Sequence, residues 1–404
     1  MRSTAALAIG IAALALALAA PAAAATYVMM TDEDLVDQAP LIGLVSVIRT
    51  DPVRDQAATD YLVQLVRPLK GNVPGEMVVR VLGGVGPDGA RLTIPGAPEF
   101  QVGQRAILFL KDRDDGMFGI VQWMLGAFHE VREAGRSLAV RDLSQARELS
   151  PPDRGQRRPD RPRNFDRFAD WLSDRAQGLF REKDYEADVV GASPAISAPY
   201  TLLGKARWFT FDDDGTATWV TRPTGQSGMT GGGFKQFQQA LAAWDGDPST
   251  VINYAYGGTS GTNGDLRAMD GVNMIQFDDP NDYISGSFDC SRGGVLAMGG
   301  WWSLDSGTFG GQTFGRIVEG DIVTQDGSGC FLSGHGGADG AEVFTHELGH
   351  TLGLGHSCGD AASGACDTAD KDNGPCARSL TGTAVAPSSP RTTAPASSPS
   401  IRGL

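Results

Sequence analysis

The stretch FTHELGHTLGLGHS, Phe344 to Ser357, restricts what this chain can fold into more tightly than any other. His346 and His350 stand four residues apart, which on a helix puts both rings on one face. Glu347 follows the first of them, and Val343, Phe344, Leu348 and Leu352 supply an apolar side to seat that helix. Gly353 is the residue best able to end it in a left-handed conformation. The chain then turns, and His356 swings back toward the first two histidines. Three of the chain's 5 histidines fall in this window, so a converging trio is expected rather than a scatter. Three neutral imidazoles suit a zinc ion and leave a fourth position open for water. Glu347 is placed to take a proton from that water and return it to a leaving group.

The pattern H-E-x-x-H-x-x-G-x-x-H followed by Ser, carried by His346, Glu347, His350, Gly353, His356 and Ser357, resembles the signature of the metzincin zinc peptidases in its matrixin-like form. The resemblance spans about Ala206 to Ser357 and is sharpest from His346 to Ser357. It implies a secreted zinc endopeptidase that hydrolyses peptide bonds through a zinc-activated water, with Glu347 as general base. It also implies an α/β (α+β) domain: a twisted, mainly parallel sheet with an antiparallel edge strand, and an active-site helix. In that family the edge strand pairs with an extended protein or peptide substrate, and GGVLAMGGW (Gly293 to Trp301) is the candidate for it. Animal relatives hold a pro-region cysteine over the zinc. No cysteine precedes Cys290 here, so latency falls to another group or to steric cover by residues 26–200. A second, structural zinc site is not evident, and His335 reads as a loop residue.

The family also places a methionine turn beneath the metal, yet no methionine follows Met298. After Cys376 the chain turns to Ser, Pro, Thr and Ala, too polar for a closing helix. Read one base out of frame from Pro375 and Cys376, the possible codons permit a segment that opens with methionine and ends in a short amphipathic helix. A frameshift near Asn373 to Cys376 is therefore expected. The alternative is an authentic tail on a catalytically impaired secreted binding or adhesion protein.

The N-terminus sets the compartment. Arg2, the uncharged Ala/Leu/Ile run Ala5 to Ala20, Pro21 and the small residues Ala23-Ala24-Ala25 read as an export signal cut near Ala25. The protein is expected outside the cell, as a monomer without stable membrane insertion. Residues 26–148 hold short apolar runs such as LIGLVSVI and RAILFLKD between Gly/Pro/Asp turns, the pattern of a β-rich barrel or sandwich. Its lone His129 reads as structural. A Pro/Arg-rich linker and a helix occupy 149–199, the α/β domain 200–376 and the tail 377–404. A net charge of −14 excludes a phosphate-neutralising surface, hence nucleic acid. In an oxidising compartment the 5 cysteines should pair, as Cys290–Cys330 and Cys358–Cys366, with Cys376 left over. The acidic turns 211–215, 277–282 and 367–374 offer oxygen ligands for Ca2+ but lack the spaced calcium-loop pattern, so they read first as solvated turns.

Overall fold

Alternating apolar runs punctuated by tight turns build the first unit. A computed structural model of the protein describes residues 25–133, 135–149, 160–187, 202–246, 250–262 and 264–356. In chain order this unit runs β1 (Ala25–Val28), α1 (Asp32–Gln38), β2 (Leu41–Pro52), β3 (Ala58–Lys70), β4 (Glu76–Leu82), β5 (Gly84–Val85), β6 (Arg91–Thr93), β7 (Arg105–Asp112), β8 (Phe118–Ile120), β9 (Ala127–Glu133), β10 (Arg136–Val140), β11 (Ala146–Glu148), β12 (Arg163–Asn164) and α2 (Phe165–Ala176). The pairs β7–β2, β2–β3, β3–β4, β4–β8 and β8–β7 close a ring, so the expected β-rich unit is a small barrel. Its strands turn Val45, Val63, Val79 and Leu108 into the ring, as a period of two requires. His129 lies on β9 beside the barrel, its ring 5.0 Å from that of Phe100, and burial lowers its pKa.

Part of the stretch expected as linker belongs to this unit. The Asn164 side chain caps α2 by accepting from the Arg167 amide. Phe168 and Trp171 are buried, with the Phe168 ring 4.9 Å from Phe128. Beside them the Arg163 guanidinium and the Tyr185 hydroxyl donate to Asp32, so residues 163 and 185 are tied back to α1. The Pro/Arg-rich residues 150–159 and most of the run toward 200 lie outside the described residues.

The second unit contains β13 (Ala206–Trp208), β14 (Ala217–Thr221), α3 (Phe234–Asp245), β15 (Tyr254–Thr259), β16 (Asn273–Gln276), β17 (Gly294–Phe309), β18 (Gln312–Thr324), α4 (Gly329–Leu332) and α5 (Gly334–Thr351). Strands β15, β14, β16 and β18 lie side by side in parallel, and β17 joins the far edge of β18 antiparallel. Helix α3 ends at Gly246 and packs against α5. The architecture is therefore mixed α/β, with a barrel sheet, a mixed sheet and few helices.

One arrangement departs from the expected partition. Strand β1 and strand β6 both pair antiparallel with β17, and β11 lies parallel to β1. The second sheet thus grows to ten strands by borrowing from residues expected to form a separate domain. Consequently GGVLAMGGW is not an edge. From Gly294 onward it lies within β17, between β18 on one side and β1 and β6 on the other. Both units bury apolar surface at this seam, where Val295, Met298 and Trp302 of β17 join the core that holds Phe109 and Phe128.

Candidate metal centre

Helix α5 is anchored from several directions before it presents any polar group. Phe344 packs edge to face on Phe237 of α3 at 6.3 Å, and Phe277 lies 5.9 Å away. The indole N–H groups of Trp244 and Trp208 donate to the carbonyls of Thr345 and Thr351, each at 2.8 Å. Buried indoles that find carbonyl partners both satisfy their polar atom and fix the helix along its axis. Strand β17 crosses close by at Gly299, where a Cβ would stand 2.7 Å from the Glu347 carbonyl oxygen.

The helix stops as its sequence predicts. Gly353 has φ +82°, its amide donates to the His350 carbonyl, and the Leu354 amide donates to Gly349. A left-handed glycine with these two hydrogen bonds reverses the chain at a helix end. The reversed segment is pinned by the Leu203 amide donating to the Gly353 carbonyl. That brings His356 back over the helix.

His346, His350 and His356 are all buried, and their ligand atoms lie within 4.8 Å of one another. The His346 Nε2 stands 2.7 Å from the Nε2 of His350 and 3.2 Å from the Nε2 of His356. The Nδ1 of His350 faces the Leu354 carbonyl oxygen at 2.9 Å. A carbonyl only accepts, so Nδ1 carries the proton and Nε2 turns its lone pair to the common centre. His346 is held differently. Its Nδ1 lies 2.8 Å from Nη1 of Arg147, a residue of β11. A guanidinium only donates, so in this arrangement the His346 proton sits on Nε2 and points at His350. Among the described residues this trio is the only group of three or more His, Cys, Asp or Glu able to hold a metal ion.

Glu347 is fully buried beside the trio. Its Oε1 accepts from the Thr26 hydroxyl of β1 at 2.7 Å, and its Oε2 has no hydrogen-bond partner. Burial pushes this carboxyl up to about 8, against the opposing pull of the Thr26 hydroxyl and the Arg147 charge.

Protein-family models, curated proteins and solved structures return no match to this chain. The reading therefore rests on the residues themselves. His335 lies apart from the trio, with Nδ1 2.8 Å from Asp339 in the left-handed turn that opens α5. Cys290 and Cys330 form the expected disulfide, whereas Cys358, Cys366 and Cys376 lie outside the described residues. So do Ser357, the acidic turn 367–374, the tail with its frame question and the export segment up to residue 24. Of the two acidic turns that are described, Asp212 pairs with Arg207, and Asp278 and Asp279 accept from Ser227, Tyr283 and Ile284 amides. No described helix is long and apolar enough to cross a membrane. The sequence reading missed Thr26 and Arg147. Neither carries a local signal, because each reaches the site across roughly two hundred residues or more of chain.

Proposed function

We propose that this chain is a secreted zinc-dependent endopeptidase whose metal is held by His346, His350 and His356. The observation that carries the reading is the convergence of three buried imidazole nitrogens beside a buried carboxylate whose Oε2 has no protein partner. Three nitrogen donors with the His350 tautomer fixed by Leu354 fit zinc, and the Arg147 contact is the one part that must give way. When bound, zinc would lower the pKa of water and polarise a carbonyl.

The chain's own residues do the rest. Glu347 receives the proton of the attacking water and returns it to the departing amine. Gly353 holds the bend that delivers His356. The sheet order, four parallel strands with β17 antiparallel at their edge, supports a metzincin-like domain, because it is the arrangement the sequence resemblance implies. Trp244 and Trp208 hold α5 in register with that sheet. A protein or peptide is the substrate class this reading assigns.

The test is cleavage of an internally quenched peptide by the zinc-loaded chain, with and without a chelator. Glu347→Gln is expected to lower the rate by about 10²–10⁴-fold while retaining one zinc per chain. Cleavage that ignores both the chelator and this substitution would refute the reading. A chain that binds zinc and never cleaves peptide would favour the inert binding protein instead.

A further inference from the structure

Strand β1 lies where nothing in the second unit requires a strand. It runs antiparallel to β17, with Ala25 opposite Met298, Thr26 opposite Ala297, Tyr27 opposite Val295 and Val28 opposite Gly294. The other edge of β17 is already taken by β18. At this height β1 therefore covers the side of β17 opposite β18, and it does so with main-chain pairing, the way an added peptide strand binds.

The strand is aimed as well as placed. Thr26 is completely buried, and its hydroxyl donates to Glu347 at 2.7 Å. Its register partner on β11 is Arg147, which is also buried and reaches His346 at 2.8 Å. Two cross-strand neighbours from the first unit thus engage the proton-handling carboxylate and one ligand of the trio. Together they leave Glu347 and all three histidines sealed from solvent. A substrate peptide has no path to them while β1 is seated.

We propose that β1 is a built-in inhibitor, an occupant of the chain's own peptide groove that keeps the site silent until it is displaced from β17. The proposal rests on the reading of this site as a peptide-cleaving centre, but the occupancy of the groove can be measured apart from cleavage. It requires no cysteine over the metal. Thr26 instead engages the Glu347 carboxylate and Arg147 the Nδ1 of His346, and the ladder to Val295–Met298 supplies the grip.

The experiment uses the full chain and two substitutions. Thr26→Glu sets a second carboxylate against buried Glu347, which should expel the strand. Thr26→Val keeps the shape and removes only the hydroxyl. Three readouts follow: hydrogen exchange of the Val295–Met298 amides, binding of a fluorescent, end-capped Ala25–Met30 peptide, and cleavage of a quenched peptide by the zinc-loaded protein. In Thr26→Glu the expected result is loss of protection confined to that stretch of β17, peptide binding that wild type lacks, and a tenfold or greater rise in cleavage. Thr26→Val should move each readout in the same direction by less, and it stands alone if the glutamate variant does not fold. Unchanged exchange in Thr26→Val, exposed β17 amides without gained peptide binding, or wild-type cleavage equal to that of the variants overturns the inhibitor. Gained peptide binding with no cleavage by any form of the protein leaves β1 as the occupant of the groove but removes the peptidase, and the inhibitory role with it.

Discussion

A single methyl group at Gly353 should do measurable damage, and a second glycine calibrates how much. Gly353 has φ +82°, and an added Cβ would stand 2.5 Å from the Ala206 carbonyl oxygen. Gly336 has φ +71°, and an added Cβ there meets nothing within 4 Å. Gly336→Ala therefore carries only the left-handed penalty of an L-residue, roughly 1–2 kcal/mol. Gly353→Ala carries that penalty and must also push backbone aside, which adds about 1–3 kcal/mol. The expected difference between the variants is about 2 kcal/mol, read from the second unit's transition in urea by tryptophan fluorescence. The clash has a second consequence, because the displaced segment delivers His356. Gly353→Ala should bind zinc about 10–100-fold more weakly in chelator competition, the range seen when ligand positioning is disturbed. Gly336→Ala should bind it like wild type. Equal destabilisation by the two variants, or unaltered zinc affinity in Gly353→Ala, would refute the claim that the bend against Ala206 positions the third ligand.

Two further outcomes follow from other elements. The Cys290–Cys330 bridge closes a sequence separation of 40 residues, so replacing both cysteines with alanine should cost about 4 kcal/mol by loop entropy, and an unmoved urea midpoint would contradict it. Burial raises Asp279 to about 7, with Asp282 and Asp326 adding to the rise and the Ile284 and Tyr283 amides opposing it. The folded state then holds this proton where the unfolded state has lost it, so the stabilisation is full below the unfolded value of 3.8 and is lost as pH rises toward 7. Urea midpoints for Asp279→Asn should accordingly fall less between pH 5 and pH 8 than those of wild type; parallel profiles would exclude Asp279 as a contributor.

Much of the local structure was legible because it follows from spacing. RAILFLKD coincides with β7. The His346/His350 face and the Gly353 bend required only helix geometry and one left-handed residue. What the sequence hid was long-range ownership. Residues 149–199 read as a linker and a helix without a stated seat, because nothing local says that Phe168 will pack on Phe128 or that Arg163 will meet Asp32. GGVLAMGGW looks like an edge, because the chain that covers it lies more than two hundred residues earlier. Its extension to Phe309 was also hidden, since SLDSGTF turns polar once β17 and β18 run on as a hairpin. Thr26 is an ordinary threonine after an export-like segment until β1 pairs with β17.

The pairing of the two units on one strand depends on how thin that strand is. Gly299 faces α5, where a Cβ would stand 2.7 Å from the Glu347 carbonyl oxygen and 3.3 Å from its Oε2. Gly300 faces the other way, where a Cβ would stand 2.9 Å from the Thr93 carbonyl oxygen of β6. A side chain at the first position would lift the helix from the sheet, and one at the second would lift the first unit from β17. Successive residues on a strand point to opposite faces, so a glycine pair thins both faces at one height. That height is where Thr26 on β1 spans to Glu347 on α5. The short reach between β1 and the Glu347 carboxylate is thus set by the absence of two side chains on β17, and it explains why the seam between the units falls there.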